Sequence, residues 1–246
     1  MRKGPRAKAP FLNHVSLDSA RVENLDEYPF NLAAVAALDK LDLSNPITVF
    51  VGENGSGKST LIEAIAVAAG FNPEGGTKNF NFSTRESHSQ LSEYLRLARF
   101  PNRESDGFFL RAESFFNVAT KVDTLGVSHY YGGRSLHEQS HGESFLALVK
   151  NRFGGHGLYI LDEPEAALSP QRQLGLLMLI HELIEEEHSQ FIIATHSPIL
   201  MAYPGACLYH LDEAGIGKID FEDTEHYQIT RNFLNNPKAF LSHLLK

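Results

Sequence analysis

Hydrophobic and polar positions along this chain alternate between two periods, and the switches between them mark out its elements. Residues 47–50 (Ile, Thr, Val, Phe) are β-prone and 158–161 form a short apolar run, as expected of strands covered on both faces. Further strands are predicted over 11–17, 79–82 and 190–195. Residues 94–100 and 108–113 flank Pro101-Asn102-Arg103-Glu104-Ser105-Asp106-Gly107 and predict a hairpin with a long turn. A second hairpin is predicted from 207–211 and 218–221 around Gly215 and Gly217. Helical spacing begins at Lys58 and runs to about Ala69, and it returns over 114–122 and 144–150. Ser169-Pro170 opens a longer helix to about Glu187, because serine suits an N-cap and proline the first helical position. Two short helices are predicted at 225–235 and 238–245. Residues 33–38 are too rich in small side chains to assign. Asn72-Pro73-Glu74-Gly75-Gly76 and Gly132-Gly133 read as breaks. Strands alternating with helices predict an α/β fold with a mainly parallel sheet, whose ligand sits at the strands' carboxyl ends.

The chemistry collects at those ends. Gly52-Glu53-Asn54-Gly55-Ser56-Gly57-Lys58-Ser59 fits G-x-x-x-x-G-K-S/T between a predicted strand and a predicted helix, the context the motif requires. Backbone N–H groups of such a loop and the helix N-terminus can face a polyphosphate. Lys58 would reach the β- and γ-phosphates, Ser59 would hold Mg²⁺, and Thr60 adds a hydroxyl beside it. The strand at 158–161 ends in Asp162-Glu163. Adjacent acids have no structural use in a buried strand, where unpaired charge is costly. Next to Mg²⁺ and phosphate, Asp162 would bind the metal, directly or through water, and Glu163 would polarise the attacking water. His196, in Thr195-His196-Ser197-Pro198, closes the next strand at the same edge and is placed to contact the γ-phosphate or that water.

Composition narrows the surroundings of this site. The chain has 246 residues, 42% apolar and 21% charged, with a net charge of −8. That size allows one full core with a small appended subdomain, and the charge opposes non-specific polyanion binding by the whole molecule. No apolar run approaches the roughly 20 residues needed to span a bilayer. The N-terminal ten residues are basic without an apolar segment behind them, so a short disordered arm is expected there, not a secretory signal. The single cysteine, Cys207, excludes an internal disulfide and suits a reducing cytosol. His137-Glu138-Gln139-Ser140-His141 matches H-E-x-x-H, but it lies between glycines at 132–133 and 142, a poor place for the helix a zinc site needs.

Shifted by two residues, the same stretch has a better reading. Gln139-Ser140-His141-Gly142-Glu143, followed by a helix, resembles the signature loop of the ATP-binding-cassette (ABC-type) P-loop ATPases, Leu-Ser-Gly-Gly-Gln. The order of motifs is also similar: phosphate loop, signature, acidic strand end, histidine, with Ser140 lying 22 positions before Asp162 and His196 lying 33 after Glu163. Ala166-Ala167-Leu168-Ser169 resembles the D-loop. The resemblance implies a P-loop NTPase domain over 1–246, with insert and signature over about 72–156 and a small antiparallel insert. It implies ATP and Mg²⁺ as ligands. It also implies an ATP-dependent homodimer, in which Ser140, the Gly142 backbone and Glu143 of one copy cover the γ-phosphate held by the other.

His141 and Glu143 depart from the family pattern, which has glycine and glutamine at those places. The family's Q-loop glutamine corresponds to Glu113, a third candidate for the metal, with Gln90 the weaker alternative. Tyr28 or Phe30 would stack on the base. The chain lacks the Gln-Arg-rich segment that follows the signature helix in transporter subunits. Only about eighty residues separate Lys58 from Ser140, too few for the coiled-coil arms of chromosome-organising and break-repair relatives. The resemblance is therefore closer to the stand-alone, cytoplasmic ATPases labelled AAA-family than to transporter subunits, with an unknown client and no membrane insertion; a transporter's ATP-binding subunit and a nucleic-acid repair or defence ATPase are the alternatives. Arg85, Arg96, Arg99, Arg103 and Arg111 lie in the insert, as either a solvated face or a nucleic-acid or effector surface.

Overall fold

The computed structural model describes residues 10–78, 89–111 and 141–245, with only the backbone of His141 included. Its strands are β1 (Leu12–Leu17), β2 (Leu41–Asp42), β3 (Ile47–Val51), β4 (Leu95–Arg99), β5 (Asp106–Arg111), β6 (Gly157–Asp162), β7 (Gln190–Ala194), β8 (Cys207–Asp212) and β9 (Gly215–Lys218). The described helices are α1 (Ala33–Ala36), α2 (Lys58–Ala68), α3 (Leu91–Tyr94), α4 (His141–Arg152), α5 (Pro170–Glu185), α6 (Pro198–Met201), α7 (Glu225–Asn235) and α8 (Pro237–Leu244).

Six strands form the central sheet in the order β5-β6-β7-β3-β8-β9. The first five are parallel and β9 returns antiparallel on β8. Every residue of β3, β6 and β7 is buried, because both faces are covered, and this explains their largely apolar sequences. Ile47, Val49 and Val51 face a cluster with Phe145, Leu148, Leu176 and Ile180 of α4 and α5. Phe50 and Ile192 face the opposite cluster, with Leu61, Ile62 and Ile65 of α2. That second layer also holds a three-stranded antiparallel sheet, β2-β1-β4.

Two polar side chains tie these layers together. Gln190, fully buried at the start of β7, accepts the N–H groups of Phe11 (2.9 Å) and Leu12 (2.8 Å) and donates to the carbonyls of Leu12 and Leu43. It satisfies backbone groups of the small sheet that would otherwise be buried unpaired. Asp106, at the start of β5, accepts from Arg152 (2.8 Å), the Gly154 N–H (2.8 Å) and the Tyr159 hydroxyl (2.9 Å). Burial opposes ionisation of Asp106, but the Gly154 N–H, Arg152 and Tyr159 outweigh it and hold the carboxyl below its ordinary range.

The hairpin expected over 94–113 is not there. β4 pairs antiparallel with β1 in the small sheet, and β5 pairs parallel with β6 in the large one. The residues between them carry the chain from one layer to the other. The antiparallel sheet is thus built mainly from N-terminal strands. The C-terminal hairpin exists, but its second strand is Gly215–Lys218 and not 218–221. Its turn is tighter than expected, because Asp212 Oδ1 accepts the Ala214 N–H at 2.8 Å. Gly215 lies in the strand, where a Cβ would come within 2.9 Å of Ala37 in the loop after α1. Ser169 precedes α5 as expected, with Pro170 at its first position, but its side chain makes no capping bond. The predicted strand at 79–82 and helix at 114–122 lie outside the described residues. Among the described residues, no helix is long and apolar enough to cross a membrane.

Candidate active site

The carboxyl ends of β3, β6 and β7 bring together the phosphate loop, Asp162 with Glu163, and His196. β3 runs straight into the loop. Gly52 has φ of 147°, and a Cβ there would lie 2.2 Å from the Leu211 carbonyl oxygen, so only glycine allows the loop to pass β8. Gly57, at φ 94°, turns the chain into α2. Lys58 is buried, and its Nζ donates to the carbonyls of Gly52 (2.8 Å) and Glu53 (2.9 Å), which folds the ammonium back over the loop. Burial pushes the Lys58 pKa down, against the opposing pull of Glu163, Asp162, Glu53 and Glu165. The Ser56 hydroxyl is buried in the same loop with no protein partner among the described residues.

The Ser59 hydroxyl donates to Asp162 Oδ1 at 3.2 Å, across 103 positions of sequence. Asp162 is 5% exposed, and the Arg111 Nε lies 3.6 Å from its Oδ2. Arg111 also reaches Glu63 of α2. Glu163 turns sharply out of β6 at φ 50°, a costly conformation for a non-glycine residue, held here by its N–H bonding to the Ala194 carbonyl. A cavity of 230 Å³ is lined by Asn54, Gly55, Lys58, Ser59, Thr60 and Glu163, with Tyr28 at its wall. An adjoining cavity of 360 Å³ is lined by Ser59, Thr60, Glu63, Gln90, Arg111 and Tyr28. These residues fit a magnesium-bound polyphosphate. Ser59 and Asp162 are hard oxygen donors held together, and the loop offers an ammonium and a spare buried hydroxyl to phosphate.

His196 Nε2 stands 3.5 Å from Glu163 Oε1. Its backbone N–H donates to Glu165 Oε1, and its Nδ1 lies 2.9 Å from His226 Nε2 on α7. Burial pushes the His196 pKa down, Lys58 adds to the effect, and Glu163 opposes it. Burial likewise raises the pKa of Glu165, while the His196 N–H it accepts works the other way. Gln173 of α5 donates to the Leu168 carbonyl (3.0 Å) and accepts from the Ser197 hydroxyl. Through these bonds the segment after Glu163 and the segment after β7 are fixed to one another.

The two alternatives for the base-stacking ring separate. The Tyr28 hydroxyl is 3.2 Å from Thr60 Oγ1, and its ring is 64% exposed. Phe30 is buried, edge-on to Tyr94, and has no free face there. Gln90 lines the cavity beside Ser59, whereas Glu113 lies outside the described residues. So do Ser140 and Gln139. α4 starts at His141, earlier than predicted. Gly142 packs so closely on the Pro164–Ala167 turn that a Cβ would lie 3.0 Å from the Ala167 carbonyl oxygen. Glu143 pairs with Arg172 of α5 at 3.1 Å. The H-E-x-x-H stretch also falls outside the described residues, apart from the His141 backbone. Among the described residues, no group of three or more His, Cys, Asp or Glu side chains could hold a metal ion.

Of the described insert arginines, Arg96 pairs with Asp18, Arg99 with Glu104 and Arg111 with Glu63, with β4 and β5 in different sheets, and Arg103 is exposed; Arg85 lies outside the described residues. Four neighbours of the site were not predicted from sequence. Arg111 becomes visible only once β5 is known to run beside β6, which sets it opposite Asp162. Glu165 was signalled by the third acid in Asp162-Glu163-Pro164-Glu165. Gln173 and His226 gave no local signal.

The chain resembles known proteins in sequence and in fold. Residues 31–124 match a family model described as an AAA domain, and 135–202 match one described as "AAA domain, putative AbiEii toxin, Type IV TA system". The chain is 28% identical over 171 residues to the manganese transport system ATP-binding protein MntA of Synechocystis sp., covering 61% of this chain and 64% of that protein. It is 26% identical over 200 residues to the thiamine import ATP-binding protein ThiQ of Ruegeria sp., covering 72% and 81%. The chain thus spans just under two thirds of the manganese protein's length. Among solved structures, an inward-facing putative metal-chelate type ABC transporter aligns at TM-score 0.48 and 20% identity, over 89% of this chain and 88% of that one. The SMC head domain from Thermotoga maritima aligns at 0.47 and 16%, over 85% and 99%.

Proposed function

Because the chain is an ABC-type P-loop ATPase in motif order and fold, we propose that it is a cytoplasmic enzyme that binds Mg-ATP, closes as a homodimer and hydrolyses the nucleotide to drive or switch a partner. The observation that carries this reading is one cavity lined by Lys58, Ser59 and Glu163, with Asp162 hydrogen-bonded to Ser59. In it the phosphate-loop N–H groups and Lys58 hold the polyphosphate. Ser59 and Asp162 hold Mg²⁺, which when bound offsets charge on the phosphate oxygens. Glu163 orients the attacking water and takes its proton. His196 sits across from Glu163, at the terminal phosphate. Tyr28 lies under the base, and Gln90 serves as the Q-loop sensor beside Ser59. Ser140, Gly142 and Glu143 of a second copy complete the site.

Glu163→Gln tests this directly. It is expected to keep ATP affinity, lower turnover by roughly 10²- to 10⁴-fold, and accumulate an ATP-bound dimer visible by light scattering. Wild-type turnover in that variant would remove Glu163 from its role. A second reading, the ATP-binding subunit of a transporter, is favoured by the names of the curated relatives. It predicts co-purification with a membrane protein, which the first reading does not.

A further inference from the structure

His226 is the second residue of α7 and is half-buried beside the phosphate loop. Its Nε2 lies 2.9 Å from His196 Nδ1, with ring centroids 5.0 Å apart. Two ring nitrogens at that separation share one proton: one donates and the other accepts. On the opposite edge of the His196 ring, Nε2 stands 3.5 Å from Glu163 Oε1. An ionised carboxylate only accepts. Nε2 makes no hydrogen bond at that distance, but a bare Nε2 would set a lone pair towards the carboxylate oxygen, whereas a protonated Nε2 turns a hydrogen to it. With the His196 proton on Nε2, its Nδ1 is bare, and the hydrogen at the histidine pair must come from His226.

We infer that His226 is a positioning residue that donates from Nε2 to His196 Nδ1, fixing His196 in its Nε2-protonated tautomer with that N–H facing Glu163. The surroundings favour this neutral pair over a doubly protonated one. The groups facing it are Glu53 and Lys58 of the phosphate loop, Glu163 after β6, His210 of β8 and Glu225 of α7. Burial pushes both imidazole pKa values down, and Lys58 reinforces this, against the carboxylates. The positive end of α7, where His226 sits, disfavours a further positive charge. The C-terminal helix thereby supplies a part of the site that no motif records. Its consequence for turnover rests on the proposed place of His196 at the terminal phosphate, but the tautomer itself does not.

The test begins with the full chain without nucleotide, labelled with ¹⁵N in its histidine rings. The His196 resonances are expected to report a proton on Nε2 and none on Nδ1. His226→Leu is expected to shift His196 to a mixture of both neutral tautomers. His226→Gln, whose amide N–H reaches the place of the imidazole N–H, is expected to hold the wild-type tautomer. In turnover, the leucine variant is expected to lose roughly tenfold in kcat at unchanged KM, less than the roughly 10²- to 10⁴-fold of a group that itself transfers the proton, and the glutamine variant to recover most of it. A wild-type His196 protonated on Nδ1 overturns the inference, and so does a His196 tautomer that does not move in His226→Leu. A wild-type protein with no ATP turnover would remove the functional reading and leave the tautomer result standing, so the two failures are distinct.

Discussion

α2 and α7 both border the candidate site, α7 carrying α8 behind it, yet they are held by different means. α2 buries six of its eleven residues, Lys58 among them, between the central sheet and the small antiparallel sheet. Neither α7 nor α8 buries any. Ile229, Leu234, Leu244 and Leu245 are more than half exposed, and the two helices touch one another through Phe233 and Phe240. The pair is attached at its start, where Thr224 is 1% exposed and bonds back to the Phe221 carbonyl, and His226 meets His196. α2 is therefore a fixed wall whose position the core dictates, while the C-terminal pair is a lightly held arm with one polar link to the chemistry. Local opening should be far easier in the second.

The largest expected effect lies on the fixed side. Lys58→Ala removes the ammonium folded over the phosphate loop and is expected to weaken ATP binding by at least about a hundredfold, roughly 2.7 kcal/mol, as measured by calorimetry. The fold should survive, since the change also removes a buried charge. Wild-type affinity would show that α2 walls a site that does not hold phosphate.

Leu61→Ala probes the same helix through packing alone. Leu61 is fully buried, so truncation should cost about 2–5 kcal/mol of stability in urea unfolding. A cost below about 1 kcal/mol would mean that the layer around α2 can collapse onto the missing volume, outside the range seen for buried leucines.

A smaller effect is expected at Asp106, which joins β5, the end of α4 and β6. Asp106→Asn should cost roughly 1–3 kcal/mol at neutral pH, through partners left poorly paired. Because the folded carboxyl titrates below its ordinary value, the stabilisation is fully present above about pH 4 and is lost as pH falls through the folded pKa. The stability gap between wild type and variant should therefore narrow in that acid range. A gap that stays constant with pH would assign the cost to shape and not to charge.

Much of the fixed side was legible in the sequence, because its signals are local. The phosphate loop, the Asp162-Glu163 strand end and His196 each announce themselves within a few residues, and parallel strands buried on both faces read as plain apolar runs. What stayed hidden depends on pairing between distant segments. Residues 94–113 look like a hairpin because two apolar runs flank a turn-rich stretch, yet β4 and β5 belong to different sheets. Arg111 therefore looked like surface charge until its register beside Asp162 was known. Gln190 opens a strand as an unremarkable polar residue, and its four bonds go to Phe11 and Leu12, almost 180 positions away, and to Leu43, 147 away. The two C-terminal helices were predicted correctly, but His226 had no motif around it, and only the docking of α7 puts it against His196.

The smallest effect is expected on the arm, and it is the sharpest check of the comparison because the chemical change matches that at Leu61. Leu234 is 69% exposed on α7, so its truncation removes little area from the core and leaves no cavity. Alanine is also the best helix former, so backbone propensity offsets part of what is lost. Leu234→Ala should therefore change stability by no more than about 0.5 kcal/mol and leave the His196 tautomer as in the wild type, since the attachment at Thr224 and His226 is untouched. A loss approaching that of Leu61→Ala would mean that α7 packs against the domain in solution far more tightly than its exposure indicates, and the contrast between wall and arm would fail.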